Sequence, residues 1–159
     1  MKTYRPAPAV IAEIERLLAA NQAAFHQSPL DEVIDVVSRT RHYAWIGIYL
    51  AAGESPQLLG SGGESGPTAM ALPESRTRIL VSMKIAGREL GMIAAESEEE
   101  NAFGREDRVL LESVANLLAR FLTGRGKYLV RRAREDARRR KSKLPEPASR
   151  RENKLAAAS

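Results

Sequence analysis

The alternation of side chains between residues 77 and 85 is the feature that most constrains the fold of this sequence. Every second residue is apolar and most of the intervening ones are polar, which is the period of a β-strand with one buried face. A turn that contains Gly87 follows, and residues 90–95 form a second, largely apolar run. The pattern therefore predicts an antiparallel β-hairpin.

Five further segments have the pattern of a helix or a strand. Apolar residues recur with the helical period in residues 9–25, in a segment that begins at Ser28, and in residues 104–122. Residues 43–51 are apolar on both faces, as in a central strand, and residues 57–60 form a short partner strand. The order of these segments predicts an α+β fold, in which N-terminal and C-terminal helices flank an antiparallel sheet.

Charge divides the chain into two unlike parts. The net charge of +5 combines −4 over residues 1–123 with +9 over residues 124–159. The last residues have too little apolar surface to offset the entropy cost of ordering. We predict an N-terminal arm at residues 1–8, a domain at 9–123, a basic and partly helical extension at 124–143, and a disordered tail at 144–159.

The basic extension is the most unusual part of the sequence. Its side chains could bind a polyanion such as nucleic acid through the release of counterions. The alternative is a solvated extension that aids solubility. Tyr128 is the one aromatic residue after Gly124, so base stacking is not predicted. The candidate contact residues are Arg131, Arg132, Arg134, Arg138, Arg139, Arg140, Lys141 and Lys143.

Several types of site are missing from the sequence. Cysteine is absent, which excludes disulfides and thiolate nucleophiles. The two histidines, His26 and His42, fall at predicted helix ends, and no catalytic constellation is present. We therefore predict no enzyme, no metal site and no cofactor. No apolar run approaches the ~20 residues of a membrane helix, so we predict a cytoplasmic protein without a membrane span.

Two loop-like stretches carry no predicted site. The glycine-rich residues 60–68 do not lead into a helix, so they are predicted to be a flexible connection rather than a phosphate cradle. The acidic residues 96–100 are predicted to be a solvated loop, because adjacent carboxylates seldom converge on a cation.

Motifs along residues 30–122 resemble the GAF family in their order and spacing. In this sequence they are Tyr43-Ala44-Trp45-Ile46-Gly47-Ile48-Tyr49-Leu50, the strand of residues 75–85, the turn and strand from Gly87 to Ile93, Glu96-Ser97, and Ala102-Phe103 followed by Asp107. The resemblance implies a GAF-like fold. Relatives that reduce free methionine sulfoxide or attach bilins need cysteine, so it implies neither activity here. From the local helix-start signals, we interpret Phe103 as a core anchor and Asp107 as a residue of the first helical turn.

Three functions remain open at this point. The first is a non-catalytic sensory or interaction module, which could also bind a protein partner. It would dimerise with a second copy through the apolar stripes at residues 10–18 and 110–121. The second is a small-molecule sensor with a reduced pocket, because residues 61–75 leave little chain to build a lid. Its candidate pocket residues are Trp45 and Tyr49, for which the alternative is packing in the core or at an interface. The third is a nucleic-acid accessory protein that acts through the basic tail.

Overall fold

The computed structural model describes residues 5–20, 28–40, 43–52, 55–63, 77–99 and 103–143. Within these ranges the chain forms four helices and four strands. In chain order they are α1 (Ala7–Ala19), α2 (Pro29–Thr40), β1 (Trp45–Ala52), β2 (Ser55–Gly62), β3 (Thr77–Ile85), β4 (Arg88–Ser97), α3 (Arg105–Thr123) and α4 (Lys127–Lys143).

The four strands form one antiparallel sheet in the order β2-β1-β4-β3. This confirms the predicted α+β class and the hairpin of β3 and β4. The turn of that hairpin has positive φ at Ala86 (50°) and Gly87 (77°), the geometry that matches the twist of the two strands. β1 lies inside the sheet, which agrees with its apolar residues on both faces.

The inner face of the sheet packs against the helices to form the hydrophobic core. α2 contacts β1 and β2, and α3 contacts β3 and β4. The core includes the buried α4 residues Val130 and Ala133, so part of the basic extension packs on the domain. The inner-face residues in this core are Ile46, Ile48, Leu50, Ile79, Val81, Met83, Ile93 and Ala95.

Helix α1 packs within the chain rather than presenting a free apolar stripe. It begins at Ala7, two residues before the predicted start, and Pro8 is in its first turn, where proline suits a helix. Val10 and Ile14 are fully buried, and α1 contacts both α2 and α3. The apolar surface expected to join two subunits is therefore used inside one chain. The homodimer stays a prediction that a single chain does not test.

The acidic residues 96–99 differ in part from the predicted solvated loop, because the first two of them belong to β4. Glu96 and Ser97 are the last residues of β4, and both are 0% exposed. They belong to the strand because Glu96 pairs with Trp45 of β1 and with Arg78 of β3, while Ser97 pairs with Thr77 of β3. Glu98 and Glu99 follow the strand and are exposed as expected.

The structure leaves some sequence predictions untested. The disordered tail at 144–159, both histidines and most of the glycine-rich connection lie outside the described residues. Among the described residues, no helix is long and apolar enough to cross a membrane. The cytoplasmic location stays a prediction.

The start of α3 is fixed by Asp107. Its Oδ2 accepts a hydrogen bond from the backbone N–H of Gly104 at 3.1 Å, which caps the helix. Its Oδ1 accepts a hydrogen bond from the hydroxyl of Tyr43 at 2.7 Å, and the Tyr43 ring lies 5.3 Å from the ring of Phe103. Phe103 is partly buried against the core, and Asp107 lies in the first turn, as the sequence predicts.

Replacing Asp107 tests this arrangement. Asp107→Ala should lower the free energy of unfolding by about 2 kcal/mol, because it removes the cap and leaves the Tyr43 hydroxyl without this acceptor. Tyr43→Phe should cost about 1 kcal/mol, since it removes one hydrogen bond and keeps the ring contact. Urea denaturation followed by circular dichroism measures both. Equal stability of Asp107→Ala and the unsubstituted protein would contradict the capping role.

Candidate functional site

The outer face of the sheet turns away from the core and carries polar and aromatic residues in rows. The strand register places Trp45 of β1 opposite Glu96 of β4, and Glu96 opposite Arg78 of β3. Residues in register on antiparallel strands project to the same face, so these three side chains form one row across the sheet. Trp45 and Glu96 are almost fully buried, at 2% and 0% exposure, whereas Arg78 on the edge strand β3 is exposed.

The next row of the outer face consists of Gly47, Ala94 and Leu80, and Leu80 is 54% exposed. Gly47 is opposite Ala94, and Ala94 is opposite Leu80. The indole of Trp45 lies over Gly47, because a Cβ atom at Gly47 would fall 2.6 Å from Trp45 Cζ2. A side chain at position 47 would displace the ring. Gly47 therefore lets the tryptophan lie flat along its own strand.

The third row lies on the far side of the Gly47 row from Trp45. It consists of Tyr49, Met92 and Ser82, which are opposite one another in the register. The rings of Trp45 and Tyr49 are 6.3 Å apart between centroids and inclined by 59°. This is the spacing of a tilted aromatic pair. We refer to the three rows together as the outer-face site.

A buried ion pair lies at one end of the outer-face site. Glu96 Oε1 accepts hydrogen bonds from Arg78 Nη2 at 2.6 Å and from Arg78 Nε at 3.2 Å. The Glu96 side chain is 0% exposed, whereas that of Arg78 is 38% exposed. Burial of a carboxylate is expensive unless a cation and hydrogen bonds compensate it, and Arg78 supplies both. The exposed part of the guanidinium can still meet another anion.

The indole N–H of Trp45 is one of three buried polar side-chain atoms without a hydrogen-bond partner among the described residues, beside Ser38 Oγ and Gln57 Oε1, and it is the one on the outer face. Nε1 is buried and has no hydrogen-bond partner in the described part of the chain. A buried donor without an acceptor costs on the order of 1–3 kcal/mol, and such groups in native proteins call for a bound water, ion or ligand. An acceptor atom from a bound molecule would remove this cost.

The structure brings together the two pocket candidates that the sequence singled out. Trp45 and Tyr49 are neighbours on the outer face. Sequence reasoning missed Arg78, Ala94 and Glu96, although Ala94 and Glu96 continue the two-residue period of β4. The segment looked like a loop because its acidic run concealed that period.

The candidate polyanion contacts lie elsewhere, on α4. They do not join the outer-face site. Arg131, Arg132, Arg134, Arg138, Arg139 and Arg140 are exposed. Lys141 and Lys143 belong to the last turn of α4, and their side chains are outside the described set.

Comparisons with known proteins find likeness in structure alone. No family model and no curated protein matches the sequence. A GAF domain of A. aeolicus in an inactive state has a TM-score of 0.58 and 17% identity, with 75% of this chain and 96% of that one covered. The GAF domain of an Acinetobacter phosphoenolpyruvate-protein phosphotransferase has a TM-score of 0.58 and 12% identity, with 74% and 92% covered.

The comparisons also correct one prediction. A free methionine-R-sulfoxide reductase from Neisseria meningitidis, in complex with its substrate, has a TM-score of 0.59 and 18% identity, with 86% of this chain and 99% of that one covered. Reductases from Thermoplasma acidophilum and Staphylococcus aureus also match. The prediction that the chain is not an enzyme was wrong, because enzymes as well as GAF domains have this fold. At such low identity the likeness extends to the fold alone: this chain has the GAF fold.

Proposed function

We propose that this chain is a sensory module of GAF fold that binds a small organic molecule at the outer-face site. The observation that carries the proposal is the buried indole N–H of Trp45, which lacks a partner in the described residues and lies beside a buried ion pair. A face that serves packing alone would not need a buried carboxylate, a guanidinium and an unused donor in adjacent positions.

The dimensions of the outer-face site set the size of its ligand. Neighbouring strands are about 4.8 Å apart, so Trp45 and Arg78 are separated by roughly 10 Å across two strand spacings. Adjacent rows are about 6.7 Å apart along a strand. A molecule of the size of an amino acid or a nucleobase fits these dimensions.

The side chains set the chemistry of that ligand. It needs a hydrogen-bond acceptor for Trp45 Nε1 and an apolar or flat portion that can lie against the Trp45 and Tyr49 rings. An anionic or strongly polar group suits the exposed edge of Arg78. The neighbour from Neisseria meningitidis, described in complex with its substrate, supports the view that a protein of this fold can hold a small molecule.

Trp45 allows a direct test, because it is the single tryptophan of the chain. Amino acids, nucleobases, mononucleotides and small carboxylates should be titrated individually while the tryptophan emission is recorded. At least one class should shift the emission in a saturable way and raise the thermal midpoint. If no class does either, the proposal fails.

A matched pair of variants locates the binding. Ala94→Leu puts a larger side chain at a buried position in the middle of the outer-face site and should weaken binding of the active compound about tenfold, because overpacking forces the neighbouring side chains to shift. Lys84→Ala changes an exposed side chain on the same face of β3, beyond the three rows, and should bind as the unsubstituted protein does. Circular dichroism checks that both variants fold. Unchanged affinity of Ala94→Leu would place the binding elsewhere.

The ion pair can be tested separately by a double-mutant cycle. Arg78→Met should lower the free energy of unfolding by about 1–3 kcal/mol, because it removes the two guanidinium hydrogen bonds that the buried Glu96 carboxylate accepts. The partial exposure of Arg78 keeps this below the 3–5 kcal/mol of fully buried pairs. Glu96→Gln in the Arg78→Met background should recover part of the loss, as measured by urea unfolding. Strictly additive effects of the two substitutions would show that the pair is not coupled.

A further inference from the structure

Helix α4 carries a concentration of positive charge that the outer-face site does not use. Its 17 residues include nine Lys or Arg and two acidic residues, Glu135 and Asp136. Such a density of cations on one helix is repulsive in isolation. A helix of this composition is expected to need either screening by salt or an anionic partner.

The apolar side of α4 is already occupied. Val130 and Ala133 are each 7% exposed and belong to the hydrophobic core, and Leu129 packs against it. α4 contacts α3, β1 and β2. A helix that lies in a membrane interface inserts its apolar face among lipid chains. Since α4 uses its apolar face to pack on the domain, the exposed surface of its described residues is charged and has no apolar side chains to insert into a membrane.

Three exposed arginines form a row along α4. Arg131, Arg134 and Arg138 follow the spacing i, i+3 and i+7, which places them on one side of a helix, and exposed Lys127 precedes them by one turn. In the described part of the chain, none of these four side chains has a carboxylate within salt-bridge distance. Glu135 borders the row, and Asp136 lies on the other side of the helix. We call these four residues the arginine row.

The length and chemistry of the arginine row fit a phosphate backbone. At 1.5 Å per residue, the row from Lys127 to Arg138 is about 16 Å long. Double-stranded DNA carries roughly ten negative charges over the same distance, at one per about 1.7 Å. Guanidinium groups bind phosphate oxygens through paired N–H donors, and arginine outnumbers lysine in the row three to one.

We propose that the arginine row binds the phosphate backbone of double-stranded nucleic acid without reading its sequence. Recognition of single strands relies on aromatic side chains that stack on bases. Tyr128, the one aromatic residue of α4, is half-buried and outside the row. The arginine row therefore provides a line of positive charge without an aromatic side chain for base stacking. A duplex fits it, because its phosphates form a line of negative charge and its bases are already stacked on one another.

The test compares two triple variants of the full chain. Arg131→Gln, Arg134→Gln and Arg138→Gln together remove the row. Arg105→Gln, Arg108→Gln and Arg120→Gln remove three exposed arginines of α3 with the same change in net charge. Truncation at Gly124 is less informative, because it would also remove Val130 and Ala133 from the core.

Binding is measured by fluorescence anisotropy with a labelled 20-base-pair duplex at several salt concentrations. The α4 variant should lose a hundredfold or more in affinity near 0.1 M salt, and its salt slope should fall by about 2.7, which corresponds to three lost phosphate contacts. The α3 variant should keep most of the affinity and the slope. Equal losses in the two variants would mean that net charge alone drives binding, and would overturn the proposal. The proposal would also be overturned if the unsubstituted chain had no detectable affinity for the duplex, or if it bound phosphatidylserine vesicles more tightly than the duplex.

Discussion

The antiparallel pairing of β1 with β4 is the constraint on which the rest of the structure depends. Because successive residues of a strand point to opposite faces, this one register sends Ile46 and Ile93 into the core and Trp45 and Ala94 to the outer face. A slip of one residue would exchange the two sets and bury the ion pair against the helices. The core and the candidate site therefore depend on the same backbone hydrogen bonds.

Most of the fold could be predicted from local patterns. β3 has the predicted bounds because its apolar and polar residues alternate without a break, and α3 was placed within one residue at each end by its glycine and its acidic first turn. The ends of α1 and β4 were harder to place. β4 runs on to Glu96 and Ser97 because pairing with two neighbouring strands holds them, and long-range pairing leaves no local signal in an acidic run.

The sequence predicts the two aromatic residues of the outer-face site but not the charged pair, and the reason is physical. Trp45 and Tyr49 stand out because large aromatic residues two positions apart share a strand face. Arg78 and Glu96 are ordinary charged residues in the sequence, 18 positions apart. What makes them notable is the register that brings them opposite each other and the burial of one of them. The same fold in free methionine-R-sulfoxide reductases shows that the fold does not decide between binding and catalysis.

The outer-face site and the arginine row differ in what they can bind, and they lie on different parts of one scaffold. The first sets a guanidinium against a carboxylate, so its own charges balance and a small ligand of moderate charge suits it. The second contains cations alone and suits an extended polyanion. Strand β1 lies between the outer-face site and helix α4. It carries Trp45 on the outer face, and α4 contacts the same strand and packs into the core. The two surfaces have no side chain in common, so a substitution in one leaves the chemical groups of the other in place.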